Sequence, residues 1–396
     1  MTEFLWGAST SPHQIEGNNL NSDWWEREQR FPEMFERSGD ALDSYHRYRE
    51  DIGLLADAGL NAYRFGIEWA RIEPEEGQFS KAELAHYRRM IDATLERGMT
   101  PVVTLHHFTN PRWFADDGGW RDPRAIDRFC RYVEAAATIL ADVEWVVTVN
   151  EPNVYALMSL MDNTMSEEGR AAMADLSVDD LLRAQAAAIP DTELGDILAD
   201  AHRAAKVILK SATSARVGWT VAGQAFEPTP GNEDEFARVK DAWEDRYLRV
   251  SKGDDFVGVQ SYTSQKIDSR GVIPHAPHPD NTLTGWAYRP DALGIALRNA
   301  WNVTEGTPIL ITENGIATND DARRIAYTSE ALEHMFAAQV DGLDVRGYLH
   351  WSALDNFEWG HWAPTFGLIA VDRTTFERTP KPSLAWLGDI ARSGRA

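Results

Sequence analysis

Eight short runs with the composition of buried β-strands recur along this 396-residue chain, and enough residues for a helix separate most of them. Runs rich in β-branched and aromatic residues are typical of strands, whereas apolar residues spaced three and four positions apart are typical of helices. The predicted strands are 4–10, 62–69, 100–108, 145–150, 216–222, 256–262, 308–313 and 345–352. Predicted helices lie between them, among them 45–58, 82–97, 123–140, 197–212, 290–301 and 321–339. Strand and helix therefore alternate along the chain.

This alternation predicts an α/β fold, a single (β/α)8 TIM barrel. Eight consecutive strand–helix units place their strands parallel, and such a sheet closes most naturally into a barrel. A doubly wound open sheet usually has fewer strands and a glycine-rich phosphate-binding turn after its first strand, and no such turn follows residues 4–10. Since no long Pro, Gly or Ser linker divides the chain, residues 1–396 are predicted to form one domain. Residues 158–197 are predicted to form an elaborated loop with short helices.

The charge of the chain limits its partners. Sixty-two acidic residues against thirty-nine basic ones give a formal net charge of −23, which disfavours nucleic acid as a partner and favours a neutral small molecule. No apolar run is long enough to span a bilayer, so no membrane contact is expected. The single cysteine, Cys130, forms no disulfide framework and is expected to be buried. Residues 4–7 read as a strand rather than a secretory signal, which predicts a cytoplasmic protein.

Polar and aromatic residues gather at the predicted strand ends, which surround the active site in barrel enzymes. Two of them, Glu151 and Glu313, follow the fourth and seventh strands. A single glutamate at such a position is usually part of a salt bridge at the rim. Two glutamates, each beside an asparagine, favour catalysis at a sugar carbon, in which one carboxylate attacks and the other donates a proton across a gap of about 5–5.5 Å.

Six motifs, in order from the first strand to the last, resemble those of glycoside hydrolase family 1, the β-glucosidase and β-galactosidase family. They are FLWGASTS (4–11) with QIEG (14–17), YRFGIEW (63–69), TLHHF (104–108), TVNEP (148–152), ITENG (311–315) and WSALDNFEW (351–359). Any one of them could occur by chance, whereas six in this order are very specific. The resemblance implies a TIM-barrel retaining β-glycosidase that acts on O-glycosides of unphosphorylated sugars without a cofactor or a metal ion.

The resemblance also implies the catalytic roles. Glu313 would be the nucleophile and Glu151 the general acid/base. Arg64 and Tyr262 would keep the Glu313 carboxylate ionised, which predicts a low pKa for Glu313, whereas Glu151 needs a raised pKa because it begins protonated. Asn150 would donate to the sugar 2-hydroxyl, a contact that strengthens in the transition state.

Five further residues match the sugar-binding groups of the family. Four would contact hydroxyl groups and one would form the stacking floor; they are Gln14, His107, Glu358 and Trp359, with Trp351 as the floor. His106 precedes His107 on the same strand and is predicted to point away from the pocket, because strand side chains alternate between faces.

The chain departs from the family pattern in three places. Where the family usually has Asn-Tyr-Tyr, this chain has Gln260-Ser261-Tyr262, so the tyrosine that contacts the nucleophile is kept while the first amide is one methylene longer. The loop 360–366 is one residue shorter than usual. The stretches after the fourth and fifth strands lack family motifs. Because those stretches shape the leaving-group side, we expect a reshaped mouth and a hydrophobic aglycone, with Trp113 or Trp120 exposed for stacking.

Alternatives from other classes remain open at this point. Transglycosylation would use the same glycosyl-enzyme, and a catalytically silent sugar-binding barrel would have lost one of the two glutamates. A metal-dependent hydrolase would use His106, His107 and His350, but adjacent histidines on a strand do not share a face. Glu358 argues against 6-phosphosugars and Glu151 argues against thioglycosides. The motifs leave the sugar open among glucose, galactose, fucose and xylose, and they leave the oligomeric state open.

Overall fold

A computed structural model describes residues 4–165 and 188–393, in which eight parallel strands form a closed barrel. Each strand pairs with its neighbours in chain order, and the last closes the barrel on the first, with Leu5 opposite Gly347. The strands, β1 to β8, are Leu5–Ser9, Ala62–Gly66, Thr100–His106, Trp145–Asn150, Arg216–Gly223, Val257–Ser261, Ile309–Asn314 and Val345–Trp351. The predicted TIM barrel is confirmed.

Helices surround the barrel, and six of the eight longer ones lie near the predicted helices. The longer helices are Ser44–Ala58, Lys81–Glu96, Ala125–Ala137, Pro152–Met165, Thr192–Ala212, Ala292–Thr304, Asp321–Val340 and Pro382–Ser393. The shorter ones are Pro12–Ile15, Asp23–Arg30, Trp69–Ile72, Arg112–Asp116, Glu233–Lys240 and Arg246–Val250, with a 3₁₀ turn at Gly119–Arg121 and a π-helical turn at Asp241–Asp245. None of the described helices combines the length and apolarity that crossing a membrane requires.

Short strands complete the secondary structure outside the barrel. One small sheet contains Glu227–Pro228, Lys266–Asp268 and Gly271–Val272, and a second pairs Ile369–Val371 with Arg378–Pro380. The first sheet belongs to the loops after β5 and β6, and the second follows β8.

The largest difference between a predicted and an observed strand is at the end of β2. The prediction runs to residue 69, whereas the strand ends at Gly66 because a short helix begins at Trp69. The Glu68 side chain caps that helix by accepting a hydrogen bond from the Ala70 N–H over 3.1 Å. A polar residue at a strand end thus turns out to be a helix cap.

The predicted loop 158–197 has different boundaries in the structure. The helix Pro152–Met165 extends beyond residue 158, where the loop was predicted to start. The helix Thr192–Ala212 begins before residue 197, where the loop was predicted to end. The remainder, 166–187, lies outside the described residues. Cys130 is also unlike its prediction, since it is half-buried on the helix Ala125–Ala137 rather than fully buried.

An apolar layer closes the lower barrel and puts the polar side chains above it. The layer takes side chains from seven of the eight barrel strands or their first turns, namely Leu5, Ala62, Val102, Trp145, Val147, Phe256, Leu310 and Leu349. On β5 the matching position is Gly218, where an added Cβ would lie 2.2 Å from the Phe256 carbonyl oxygen. Since side chains alternate along a strand, polar residues nearer the strand ends point into the upper barrel.

Candidate active site

Glu313 lies near the end of β7, and donors from two other elements hold both of its carboxylate oxygens. Arg64 on β2 donates from Nη1 to Oε1 over 2.5 Å, and the Tyr262 hydroxyl, just after β6, donates to Oε2 over 2.6 Å. The side chains of Arg64 and Glu313 are both buried. Two charge-directed contacts on opposite oxygens fix the plane of the carboxylate. The structure therefore brings together the three residues that the motifs assigned to the nucleophile.

Glu151 follows β4 in the left-handed region of backbone space, with φ at 43°, which is uncommon for a residue with a long side chain. Two hydrogen bonds hold it there, because its N–H donates to the Thr220 carbonyl oxygen over 3.0 Å and to the Thr220 hydroxyl over 3.2 Å. Glu151 is buried. Among residues 4–165 and 188–393, no group donates a hydrogen bond to its carboxyl oxygens, in contrast to Glu313.

Burial raises the pKa of both carboxyl groups, and their neighbours make the difference between them. It raises the pKa of Glu313 above its ordinary value, and Arg64 and Tyr262 oppose that rise. The predicted low pKa of Glu313 is therefore wrong, because desolvation outweighs both donors. Burial and then the charge of Glu313 raise the pKa of Glu151 well above its ordinary value, and only Arg64 opposes them. The expected order is kept, since Glu151 is the group that retains its proton.

The side-chain oxygen of Asn150 accepts three hydrogen bonds. Arg64 donates from Nη2 over 2.5 Å, Gln260 from Nε2 over 2.9 Å and the Thr220 hydroxyl over 3.0 Å. On its other side, Asn150 Nδ2 lies 3.2 Å from Nε2 of His107. The donors fix which way the amide faces, and Arg64 links this residue directly to Glu313.

Glu358 and Gln14 meet beside the floor residue Trp351. Glu358 Oε1 accepts from the Trp351 indole N–H and from Asn356 Nδ2, each over 3.1 Å, and Oε2 accepts from Gln14 Nε2 over 3.2 Å. Burial raises the pKa of Glu358 to about 8. Among the described residues, no lysine or arginine forms an ion pair with Glu358. This corner is built to exchange hydrogen bonds with hydroxyl groups, and it offers no cation to a phosphate.

Flat rings stack along one side of the pocket. His107 lies between Trp351, at 6.0 Å and 25°, and Trp359, at 5.9 Å and 17°, and His13 stacks on Trp359 at 5.8 Å and 11°. Burial and the charge of Arg64 lower the pKa of His107 well below its ordinary value. The imidazole is therefore neutral at neutral pH, and it presents one donor and one acceptor.

The three histidines that a metal-dependent hydrolase would use, His106, His107 and His350, each contact a different partner. His106 Nε2 pairs with Asn110 Oδ1 at 3.0 Å, His107 with Asn150, and His350 Nε2 with the Phe366 carbonyl oxygen at 3.2 Å. The prediction that His106 points away from the pocket is confirmed. The described residues contain no group of three or more metal-ligating side chains.

The aromatic residues expected at the leaving-group side are elsewhere. Trp120 is buried on the outer side of the barrel against Phe129, and Trp113 donates from its indole N–H to the Glu73 carbonyl oxygen over 2.8 Å and packs edge-on against Trp69. The expectation for both is therefore wrong. They belong to the layer between the barrel and its helices.

Motif matching missed several residues that contact the site. Trp286, in the long loop after β6, has its ring 5.7 Å from that of Tyr262 and is half-buried. Glu28 pairs with His13 at 2.7 Å beneath Trp359. Thr220 lies on β5, which carries no family motif. Only His13 had a signal in the sequence, since it stands beside Gln14 in the first motif.

Comparison with known proteins identifies the family. The family model described as Glycosyl hydrolase family 1 matches residues 1–395. The chain is 29% identical to β-glucosidase A of Acetivibrio thermocellus over an alignment of 438 residues, gaps included, that covers 99% of this chain and 98% of that protein. It is also 29% identical to thermostable β-glucosidase B of Thermobispora bispora over 449 residues, covering 98% and 90%.

Solved structures agree in fold and in sequence. The β-glycosidase BGL167 superposes with a TM-score of 0.88 at 43% identity, covering 99% of this chain and 97% of the other. A β-glycosidase from Pyrococcus horikoshii superposes with a TM-score of 0.87 at 35% identity, covering 99% and 95%. With the family model matching residues 1–395 and a (β/α)8 barrel around two buried glutamates, this chain is a retaining β-glycosidase and belongs to glycosyl hydrolase family 1.

Proposed function

We propose that Glu313 is the nucleophile and Glu151 the general acid/base in the hydrolysis of β-glucosides. The observation that supports this assignment best is the unequal treatment of the two carboxyl groups. Arg64 and Tyr262 donate to Glu313, whereas Glu151 receives no donor among the described residues and has its pKa raised by burial and by the charge of Glu313. An attacking carboxylate must be ionised and aimed, and a proton donor must hold its proton.

The reaction proceeds in two displacements. The Glu313 carboxylate attacks the anomeric carbon while Glu151 gives its proton to the departing oxygen, so that an ester bond forms as the glycosidic bond breaks. Esterification removes the charge of Glu313, which lowers the pKa of Glu151 because that charge is one of the causes of its rise. Glu151 then takes a proton from water, whose oxygen attacks the same carbon and releases Glu313.

The sugar-binding contacts are proposed as follows. Asn150 donates from Nδ2 to the 2-hydroxyl, since its oxygen is already occupied by three donors. Gln14 and Glu358 bind hydroxyl groups at the far side of the ring, with Trp359 and His107 beside them and Trp351 as the floor. Glucose is the proposed sugar, supported by relatives that are named β-glucosidases. Because burial raises the pKa of Glu358, rejection of 6-phosphosugars rests less on a fixed negative charge than on the absence, in the described part of the chain, of a lysine or arginine paired with Glu358.

The location and partners are proposals of the same kind. We propose a cytoplasmic enzyme formed by residues 1–396 as one catalytic domain, with no nucleic acid or membrane partner. The support is the formal charge of −23, the single cysteine and the match of the family model to residues 1–395. Cell fractionation tests the location.

The stereochemistry of azide products tests the two roles separately. In Glu313→Gly, azide replaces the missing nucleophile in a single displacement, so an activated β-glucoside should yield the α-glycosyl azide. In Glu151→Gly, Glu313 still acts first and azide attacks the glycosyl-enzyme, so two displacements should yield the β-glycosyl azide. The opposite pair of products would exchange the roles, and full activity of either variant without azide would remove its residue from the mechanism.

A further inference from the structure

Gln260 differs from the asparagine that the family usually has at this position, and it reaches across a strand to the catalytic machinery. It lies on β6, where it pairs with Ala222 of β5, while Asn150 of β4 pairs with Thr220 on the other edge of β5. Gln260 and Asn150 are therefore two strands apart, a backbone separation of about 9–10 Å. Gln260 Nε2 nevertheless lies 2.9 Å from Asn150 Oδ1, and both side chains are buried.

The chemistry of the neighbours fixes the orientation of both amides. Arg64 can only donate hydrogen bonds, so the Asn150 atom that faces it must be the oxygen. The Gln260 atom facing that oxygen must then be its N–H₂ group. Asn150 Nδ2 is left on the other side, toward His107.

Packing alone does not account for a glutamine at this position. Its side-chain oxygen is buried and accepts no hydrogen bond from any described residue. An apolar side chain of the same length would fill the same space without an unpaired acceptor, which is unfavourable in a protein interior. The polar contact that remains is the one to Asn150.

We propose that Gln260 is a positioning residue that holds the Asn150 amide with Nδ2 facing the 2-hydroxyl of the sugar. The inference rests on the proposed role of Asn150. A third donor to the Asn150 oxygen opposes rotation of the amide. It also polarises the amide, which strengthens donation from Nδ2 to the sugar. The extra methylene lets residue 260 span β5, and the small Ala222 beside it leaves the path open.

The test compares Gln260→Met with the wild type on two substrates, p-nitrophenyl β-glucoside and its 2-deoxy analogue. Methionine keeps the length and loses the donor. We expect kcat/KM for the glucoside to fall roughly tenfold, the scale of one lost hydrogen bond with its partner left buried, while kcat/KM for the 2-deoxy analogue changes less than twofold. Equal losses on both substrates, or no loss on the glucoside, would overturn the proposal.

Two further variants keep the test decisive. Gln260→Asn retains the amide but shortens the side chain by one methylene, so it should show the same selective loss on the glucoside. If this variant kept the wild-type ratio of kcat/KM for the two substrates, the extra methylene would not be needed to reach Asn150. Ser261→Ala is the matched control, because its hydroxyl is buried on the same strand and has no partner among the described residues; it should keep the wild-type ratio. If the wild type had the same kcat/KM on both substrates, the proposed contact of Asn150 with the 2-hydroxyl would be contradicted, and the proposal for Gln260 with it.

Discussion

Glu151 and Glu313 are the same residue type in one pocket, yet they must begin catalysis in opposite protonation states. Burial raises the pKa of both groups, so burial does not separate them. Separation comes from hydrogen-bond donors, since of the two carboxyl groups Arg64 and Tyr262 donate to Glu313 and not to Glu151. The difference is therefore a property of the neighbours.

Removing one of these donors should change the pH profile. In Tyr262→Phe, Glu313 loses a hydrogen bond that lowers its pKa, so the pKa rises and the acidic limb of kcat/KM should move to higher pH. We also expect kcat/KM at the optimum to fall about ten- to hundredfold, as for a hydrogen bond to a charged group. A pH profile of the variant on an aryl β-glucoside measures both. An unmoved acidic limb would show that Tyr262 does not act on Glu313.

The sequence reveals site residues that stand in motifs, but it does not reveal contacts that depend on how two neighbouring strands are aligned. Nine of the ten predicted site residues stand in the six motifs and Tyr262 keeps the family residue at the end of β6, but Thr220 and the reach of Gln260 do not follow from any motif. On β4, Val147 pairs with Gly218 of β5, and a regular register would then pair Asn150 with Val221. A shift of one residue between these positions pairs Asn150 with Thr220 instead. A similar shift sets Glu313 beside Gln260. Such shifts in both catalytic strands determine which side chains meet, and no pattern in the sequence indicates them.

At the scale of elements, the barrel was predictable and the loops were not. Strand and helix periods come from local patterning, so the eight strands lie near their predicted positions. The loops after β5 and β6 have no such period, and their side chains are arranged by contacts with distant parts of the chain. The prediction placed the aglycone aromatics after β3, at Trp113 and Trp120, but Trp120 is buried and Trp113 is half-buried against the layer between the barrel and its helices. The indole that does lie beside Tyr262 is Trp286.

The loop bearing Trp286 should influence the aglycone. We expect Trp286→Ala to lower kcat/KM for a bulky aryl β-glucoside about five- to tenfold, the scale of one lost aromatic contact, and to leave methyl β-glucoside nearly unchanged. Trp113→Phe, on the outer side of the barrel, is the comparison variant and should change kcat/KM for neither substrate. Equal losses on both substrates would place Trp286 outside the aglycone site.

The same loop bears on the choice between hydrophobic glycosides and cellobiose. Leu283, three residues before Trp286, is 44% exposed, so the loop presents apolar surface. We propose that hydrophobic glycosides are preferred, and kcat/KM for cellobiose and for a bulky aryl glucoside, measured on the same enzyme, tests this. A clear advantage for cellobiose would contradict it.

At the scale of the whole molecule, buried carboxyl groups should make stability depend on pH. Burial raises the pKa of Glu16 and Glu244 to about 7, of Asp23 to about 6 and of Glu358 to about 8. A pKa that is higher in the folded state favours folding below the unfolded pKa near 4, and this contribution is lost as pH rises through the folded value. The net charge of −23 adds self-repulsion in the same direction.

We therefore expect the thermal midpoint to be higher at pH 7 than at pH 9. This window lies above the ordinary histidine pKa, so the buried His86, His106 and His350, whose pKa values burial lowers, are largely neutral in both states and do not oppose the change. Salt separates the two causes, since 1 M NaCl screens surface charges beyond about 3 Å but hardly affects buried groups. Calorimetry at both pH values, with and without salt, should retain most of the difference in high salt. A difference that disappears in salt would assign it to surface repulsion, and a higher midpoint at pH 9 would contradict both causes.

The central claim is that Glu313 attacks the sugar and carries it as an ester. A 2-deoxy-2-fluoro-β-glucoside with a dinitrophenyl leaving group measures this directly, because fluorine slows both displacements while the acidic phenol keeps the first one fast enough for the ester to accumulate. Mass spectrometry of the intact protein and of its peptides should find one sugar per chain, attached to Glu313. A sugar attached to Glu151 or to any other residue, or turnover of this compound with no labelled protein, would contradict the account.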